Sequence, residues 1–169
     1  YSPNNPSDQT GYFGLRDGTS DFYVHQLRST NNIEARFTNS GGTSYDVTSP
    51  TPSVTPNQWN HSTLVLDGST LRYYGDGSAE GTITTSGSYT QTDEALTIGI
   101  TSNMSNDTSH DEVRLASTSR SAAWVKAEYE NQSNTTGFYS TKNWNATDWT
   151  SYDTITIDAT KVDENLTDF

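Results

Sequence analysis

The sequence of 169 residues contains no cysteine. Disulfide bonds, thiolate metal sites and thiol nucleophiles are therefore excluded. Basic residues are also few, because nine Lys and Arg stand against 21 Asp and Glu, which gives a formal net charge of -12. Polyanions repel a chain this acidic, so we expect no nucleic-acid partner.

Hydrophobic residues make up only 30% of the chain. No run approaches the roughly 18 consecutive apolar residues of a transmembrane helix, so we expect no membrane insertion. What remains is rich in Ser, Thr, Asn, Gly and Tyr, interspersed with short runs that contain β-branched, Leu and aromatic residues. Runs of this length between turn residues are typical of an antiparallel sandwich or barrel.

Individual strands can be read from alternation and from turns. Residues 33–38 alternate apolar and polar side chains, which places Ile33, Ala35 and Phe37 on one face. Asp67-Gly68 separates two apolar runs in the manner of a hairpin turn. Further strands are predicted near residues 11–16, 21–28, 45–47, 59–66, 70–74, 80–85, 95–100, 111–115, 138–139 and 152–158.

One short helix is predicted near residues 120–131. Ser119 is a suitable N-cap residue, and the following residues are good helix formers without Gly or Pro. Val125 and Tyr129 lie four residues apart, which gives the helix an apolar stripe. We expect this helix to pack at the edge of the β-structure.

Four segments in this order resemble the laminin G-like, concanavalin A-like jelly-roll domains: residues 59–68, 71–77, 96–99 and 111–115. Residues 120–132 resemble the closing helix of many bacterial, archaeal and phage members. The resemblance covers roughly residues 11–139 and implies an all-β fold, an antiparallel β-sandwich of jelly-roll type. Such domains usually have further strands before the point where this chain begins, which implies either a fragment or strands borrowed from elsewhere.

The C-terminal residues 152–169 resemble the opening of an uncharacterised β-module often found beside these jelly rolls in large surface proteins. We therefore expect two parts. Residues 1–140 form the laminin G-like sandwich, with its first strands absent or supplied from outside. Residues 141–169 form a linker and the first strand of a following β-module.

Catalytic patterns are missing from the sequence. Jelly-roll glucanases carry carboxylates as E-x-D-x-E along one strand, because two carboxyl groups must flank the glycosidic bond. Asp111 and Glu112 are adjacent and point to opposite faces of a strand, so they cannot form that pair. The three His residues are scattered, and no G-x-S-x-G motif is present. We predict a non-catalytic protein, with a glycoside hydrolase as the residual alternative.

The resemblance also implies a cofactor, since laminin G-like domains frequently bind Ca²⁺ at loop ends. Asp107 and Asp111 flank the loop before the last predicted strand and are the candidate ligands. The alternative, that Asp111 hydrogen-bonds to the backbone, stays open.

Sugar binding would use exposed aromatic faces with amide and carboxylate partners. The candidate ligand-binding residues are aromatic: Tyr12, Tyr45, Tyr74 and Trp144. Trp59 and Trp124 are expected in the core. Seven Asn residues begin an Asn-x-Ser/Thr sequon and are candidates for glycosylation: Asn60, Asn103, Asn106, Asn131, Asn134, Asn145 and Asn165.

These features together predict a recognition module that is extracellular or exposed on a cell or virion surface. Carbohydrate binding or adhesion within a larger multidomain surface protein is the leading hypothesis. Its partners would be a glycan or a surface protein, and also neighbouring modules or copies of the chain itself. The alternative is a structural subunit of a virion, as a decoration or tail-fibre protein, or of a cell-surface filament.

Overall fold

The computed structural model describes residues 10–15, 21–26, 31–50, 54–87, 95–99, 108–141 and 155–157. The chain divides into two compact units, which are taken in turn. The first contains Tyr1–Gly75 and Ala79–Ser119, and the second contains Asp76–Ser78 and Arg120–Phe169.

The strands of the first unit lie close to the ranges predicted from alternation. They are β1 (Thr10–Leu15), β2 (Phe22–Gln26), β3 (Ile33–Thr38), β4 (Ser44–Thr48), β5 (Ser62–Asp67), β6 (Thr70–Gly75), β7 (Ser78–Thr84) and β8 (Thr97–Ile98). Among the described residues they form one five-stranded sheet in the order β4-β3-β2-β1-β8 and one three-stranded sheet in the order β5-β6-β7. Neighbours β1 to β4 pair antiparallel in sequence order, as do β5 and β6.

The inward face of the five-stranded sheet follows from the period-two pattern of β3. Ala35 pairs with Val24 on one side and with Val47 on the other, and Phe37 pairs with Phe22 and Tyr45. These cross-strand rows turn the same apolar face towards the second sheet.

Side chains from both sheets meet in one hydrophobic core. Leu71 and Tyr73 of β6 belong to the same cluster as Ile33 and Phe37 of β3, and all four side chains are almost completely buried. Burial of a large apolar side chain contributes about 1.5–3 kcal/mol relative to exposure. The first unit is therefore an antiparallel β-sandwich of jelly-roll type, as predicted.

Two tight turns fix the three-stranded sheet. Gly68 has a φ of 56° and opens the two-residue loop between Asp67 and Thr70, which are partners in the register of β5 and β6. Asp76 and Gly77 both have positive φ, 46° and 73°, between β6 and β7. Two successive positive φ values are the signature of a type I′ hairpin turn, which favours Asp-Gly.

The predicted strand at residues 111–115 is wrong. These residues have no strand conformation, and Leu115 at 75% and Val113 at 46% are exposed. The segment has the alternation of a strand, but within the described residues no neighbouring strand pairs with it, and a strand forms only where a partner accepts its backbone hydrogen bonds.

The second unit contains α1 (Ala122–Ser133), α2 (Thr135–Phe138), β9 (Tyr139–Thr141) and β10 (Ile155–Ile157). The predicted helix is confirmed, but its N-cap is Ser121 instead of Ser119, because the Ser121 hydroxyl accepts from the Trp124 N–H at 3.2 Å. Asn134 ends α1 and caps α2.

The C-terminal strand pairs within the chain. Ile155–Ile157 runs antiparallel to Tyr139–Thr141. The division into residues 1–140 and 141–169, with a linker and a following β-module, stays a prediction. No helix in the described part of the chain combines the length and the hydropathy needed to cross a membrane.

Candidate functional site

The loop that leads into β5, residues 54–61, is anchored in the core at its start. Val54 is 4% exposed and belongs to the core cluster. Its N–H donates to the carbonyl of Asn31 at 3.3 Å. Within the loop, Asn57 has a φ of 59°, a left-handed conformation that Asn tolerates better than most residues. The chain thus passes from the buried Val54 through the turn at Asn57 to exposed residues.

The side chain of Asn60 closes this loop. Its Oδ1 accepts from the N–H of Thr55 at 2.8 Å, and its Nδ2 donates to the Thr55 carbonyl at 3.0 Å and to the Gln58 carbonyl at 2.9 Å. One carboxamide thus satisfies three backbone groups that no strand neighbour reaches. The loop between Thr55 and Asn60 is held in one shape by a single side chain.

Trp59 sits at the exposed part of this loop. It is 62% exposed, so its placement in the core was a wrong prediction. The strand predicted from residue 59 begins only at Ser62, and Trp59 therefore has no cross-strand position in the sandwich. Asn57 and Gln58 beside it are also exposed. The exposed indole can offer an apolar face and a polar N–H to a ligand.

A sequence signal for this loop did exist. Trp59 is the only hydrophobic residue between Asn57 and Thr63, and the apolar residues of the strand start at Leu64. A single apolar residue in a polar run after prolines is typical of a loop. The prediction that Trp59 lies in the core used only the hydrophobicity of its side chain and did not consider this pattern.

The aromatic residues proposed from the sequence lie elsewhere. Tyr12 is 7% exposed, belongs to the core and meets the His110 ring edge-on at a centroid distance of 6.2 Å. Tyr74 is 3% exposed. Neither ring offers a face to solvent, so both contribute to packing and are left out of the proposed binding surface. Trp144 lies outside the described residues.

Tyr45 is half-buried. Its ring stacks on Phe37 at a centroid distance of 6.1 Å, and its hydroxyl lies 2.5 Å from the Ser86 hydroxyl. The ring therefore fills space against the core, and only part of it can meet a ligand.

The proposed metal ligands are only partly described. Asp107 lies outside the described residues. Asp111 is exposed, and its Oδ1 accepts from the N–H of Glu112 at 2.9 Å, which is the backbone role left open as the alternative. Among the described residues no group of three or more His, Cys, Asp or Glu side chains is placed to hold a metal ion. A Ca²⁺ site stays a prediction.

The outer face of the five-stranded sheet carries a charged cluster. The Arg36 guanidinium binds Asp46 through Nε at 2.5 Å and Nη2 at 2.9 Å, and Nη2 lies 3.6 Å from Glu34. Burial raises the pKa of Glu34, the Asp46 carboxylate raises it further, and Arg36 offsets part of the shift. The hydrogen bond to Asp46 raises the pKa of Arg36. Because the guanidinium contacts both carboxylates, the cluster is an ion triad.

The sequons have different surroundings. Both N–H groups of the Asn60 amide are engaged within the loop. Asn134 caps α2, with its Oδ1 accepting from the Gly137 N–H at 3.0 Å, and Asn131 lies half-buried in α1. The remaining four sequons lie outside the described residues: Asn103, Asn106, Asn145 and Asn165.

Residues 1–126 match the family model of the concanavalin A-like lectin/glucanases superfamily. The match covers most of the chain, and the protein belongs to this superfamily. Among curated proteins, none matches the sequence.

Solved structures resemble the chain at low identity, and one of them has a TM-score above 0.5. The receptor binding domain of botulinum neurotoxin type G superposes with a TM-score of 0.53 at 13% identity, over 76% of this chain and 33% of that one. The binding domain of botulinum neurotoxin serotype D gives a TM-score of 0.46 at 15% identity, over 60% of this chain and 26% of that one. An S-layer domain-containing protein from Clostridium thermocellum gives a TM-score of 0.35 at 19% identity, over 76% of this chain and 66% of that one. The chain thus spans about a third or less of the toxin domains that it matches, and the likeness concerns the fold.

Proposed function

We propose that this chain is a non-catalytic carbohydrate-recognition module of a larger surface protein and that Trp59 is its sugar platform. The observation that carries the proposal is the exposure of Trp59, at 62%, on a loop that Asn60 holds in place. An indole ring covers the apolar face of a pyranose, and fixed polar groups beside it select the hydroxyl pattern. Membership of a superfamily of lectins and glucanases supports this function.

A preformed loop strengthens the proposal. Binding costs free energy when a flexible loop must be ordered, and a loop that is already ordered avoids that cost. The three hydrogen bonds of Asn60 therefore favour recognition at the residue that precedes it.

The charged cluster supports binding without hydrolysis. Glycoside hydrolysis needs one carboxyl group as acid and a second as nucleophile or base, with the scissile bond between them. In the cluster on β3 and β4, Arg36 contacts both Glu34 and Asp46. We expect no release of reducing ends from any polysaccharide that the domain binds.

The setting of the proposed function is the exterior of a cell or a virion. The type G toxin domain, which shares the fold, is described as a receptor binding domain, and this supports a role in recognition. Fold alone does not decide function, so the binding test must be made on this chain.

A glycan array with both neutral and charged sugars tests the proposal. Wild-type protein is expected to bind a subset of glycans, and Trp59→Ala is expected to lose at least about tenfold in affinity, or roughly 1.4 kcal/mol. Trp59→Phe should keep part of the binding because it retains an aromatic face. Trp124→Phe, at a half-buried Trp whose ring lies 4.8 Å below the Arg120 guanidinium, is the matched control. Equal binding by wild type and Trp59→Ala would contradict the proposed site.

A second function, as a subunit of a surface assembly, is favoured by a different observation. Large hydrophobic side chains are exposed at and next to β8, the last strand of the five-stranded sheet, and in a segment that follows it in the sequence: Leu96, Ile98, Val113 and Leu115. Exposed apolar groups beside a sheet edge promote strand pairing between chains. Copies of the chain that associate at this edge would give concentration-dependent sedimentation, and Ile98→Lys would abolish it. A monomer at all concentrations would rule out self-assembly through this edge.

A further inference from the structure

The loop that carries Trp59 lies in an uncharged stretch of an otherwise acidic chain. Between Asp46 and Asp67 the sequence contains no Asp, Glu, Lys or Arg, and His61 is counted as neutral at pH 7. Elsewhere the chain carries enough acidic residues to give a net charge of -12. The segment that carries Trp59 therefore contributes no permanently charged side chain.

The contacts that fix this loop are also neutral. Val54 donates to the backbone carbonyl of Asn31, and Asn60 bonds to backbone groups of Thr55 and Gln58. Asn32, which follows Asn31 in the sequence, donates through Nδ2 to the carbonyl of Ser49 at 2.7 Å. These hydrogen bonds join side-chain amides and backbone groups and involve no charged side chain.

Recognition of an anionic sugar depends on the opposite arrangement. Carboxylate and sulfate groups are bound by Arg or Lys, with charge-assisted hydrogen bonds that repay the loss of hydration. A charged group that is desolvated without such a partner disfavours binding. The negative charge of the whole chain adds long-range repulsion of anions.

We propose, resting on the carbohydrate function proposed above, that the Trp59 loop binds neutral pyranosides and discriminates against sugars that carry a carboxylate or a sulfate. The indole covers the apolar face of the ring. The exposed amide of Gln58 carries both donors and an acceptor, which suits hydroxyl groups that also do both. The selectivity is expected because residues 47–66, the segment that carries the ring, supply no Arg or Lys to pair with an anionic group.

Matched sugar pairs test this selectivity at neutral pH. The probes are lactose with its 3′-sialylated and 3′-sulfated forms, together with the neutral disaccharides cellobiose, maltose and diacetylchitobiose. Binding is followed by saturation-transfer NMR and by the indole resonance of Trp59. At least one neutral disaccharide is expected to bind at least about tenfold more tightly than any charged probe. Its affinity should change less than about twofold between about 50 and about 500 mM NaCl, because no ion pair is formed.

Two variants of Gln58 test whether adding a positive charge to the loop lets it bind an anionic sugar. Gln58→Arg adds a guanidinium to the residue next to Trp59 and is expected to raise the ratio of 3′-sialyllactose affinity to lactose affinity several-fold, because the sugar carboxylate gains a charged partner. Gln58→Glu is the matched control and should leave sialyllactose binding undetectable. The Gln58 side chain is exposed, so neither change disturbs the core.

The outcomes separate this inference from the proposed function. If the sialylated or sulfated probe binds the wild type as tightly as its neutral partner, and Trp59→Ala abolishes that binding, the selectivity is wrong and carbohydrate recognition stands. If neither the disaccharides nor the array give binding that depends on Trp59, the proposed function fails and the selectivity fails with it.

Discussion

Asn60 and Thr55 form a closed pair of hydrogen bonds in which a side chain takes the place of a neighbouring strand. The Asn60 Oδ1 accepts from the Thr55 N–H at 2.8 Å, and its Nδ2 donates to the Thr55 carbonyl at 3.0 Å. A carboxamide has a donor and an acceptor side by side, which is the pattern that a backbone offers in a ladder. Because Trp59 immediately precedes Asn60, the same pair positions the exposed indole.

Removing the Asn60 carboxamide should loosen the loop without unfolding the sandwich. Asn60→Ala is expected to lower the free energy of unfolding by about 1–2 kcal/mol, since each net hydrogen bond contributes about 0.5–1.5 kcal/mol and the loop groups can turn to water. Sugar affinity should fall about three- to tenfold because binding must now order the loop. Urea titration and a sugar titration measure the two effects.

Asn60→Asp separates the donor from the acceptor. The carboxylate can still accept from the Thr55 N–H, but it faces the carbonyls of Thr55 and Gln58 without a proton to donate. The Asn60→Asp variant should therefore be no more stable than Asn60→Ala at neutral pH. Ser40→Ala, at an exposed turn residue, is the control and should stay within about 0.5 kcal/mol of wild type. Wild-type affinity in Asn60→Ala would show that the loop needs no fixation.

Asn39 holds the ends of the two sheets together. It is 7% exposed, its Oδ1 accepts from the N–H groups of Gly41 and Thr43 at 3.0 and 2.9 Å, and its Nδ2 donates to the Ser86 carbonyl at 2.7 Å. Asn39→Ala leaves these backbone groups without their partner and should cost about 2–4 kcal/mol. Chemical denaturation checks this against Ser40→Ala, the exposed neighbour. Equal stability of the two variants would show that the network is dispensable.

Gly81 in β7 lies against Val47 of the opposite sheet. A methyl group added at Gly81 would approach Val47 Cγ1 more closely than real atoms do. Gly81→Ala is therefore expected to cost about 1–3 kcal/mol through overpacking. In a Val47→Ala background the same change should be neutral or slightly stabilising, since Ala loses less backbone entropy than Gly on folding.

A double-mutant cycle measures this coupling. The two changes should be non-additive by about 1–3 kcal/mol, as expected for side chains in direct contact. Additive effects would mean that β7 does not face β4 across the core, which would contradict the sandwich.

Glu34 should make stability depend on pH. Burial raises its pKa above the ordinary value of 4.5, so the folded protein holds this proton to higher pH than the unfolded chain does. Its contribution to stability is therefore fully present below the unfolded pKa and is lost as the pH rises through the folded pKa. Glu34→Gln stays neutral throughout and should be more stable than wild type at neutral pH, by less than about 1 kcal/mol, and no more stable near pH 4.

Thermal unfolding at several pH values from pH 4 to 7 measures the stability difference between Glu34→Gln and wild type. Glu112→Gln, at an exposed ion pair in which Arg114 lies 2.7 Å from Glu112, is the control and should follow the wild type within about 0.5 kcal/mol. A constant difference between Glu34→Gln and wild type over the whole range would show that the pKa of Glu34 is not raised.

Much of the sandwich could be predicted because its strands obey local rules. The alternation of residues 33–38 matches β3, and Asp67-Gly68 lies at the turn between β5 and β6. Both signals depend on side chains and φ values within a few residues of each other. The resemblance to jelly-roll domains supplied the topology, which no local signal contains.

The parts that could not be predicted depend on distant neighbours. Residues 111–115 alternate like a strand but find no strand partner among the described residues. Trp59 is the most hydrophobic part of its segment, yet the strand begins three residues later. The residue after it, Asn60, bonds to the backbone of the loop, and a pattern of apolar residues does not reveal such hydrogen bonds.

Mapping a bound sugar by NMR is the most direct test of the central claim. Wild-type protein labelled with ¹⁵N is titrated with the tightest-binding neutral sugar from the array, and the backbone and indole N–H shifts are followed. The account predicts the largest changes at the Trp59 indole Nε1–H and at the amides of residues 55–60, and their loss in Trp59→Ala. Changes centred on Tyr45 and Ser86, or on the Glu34 and Arg36 face, with Trp59 unmoved, would contradict it.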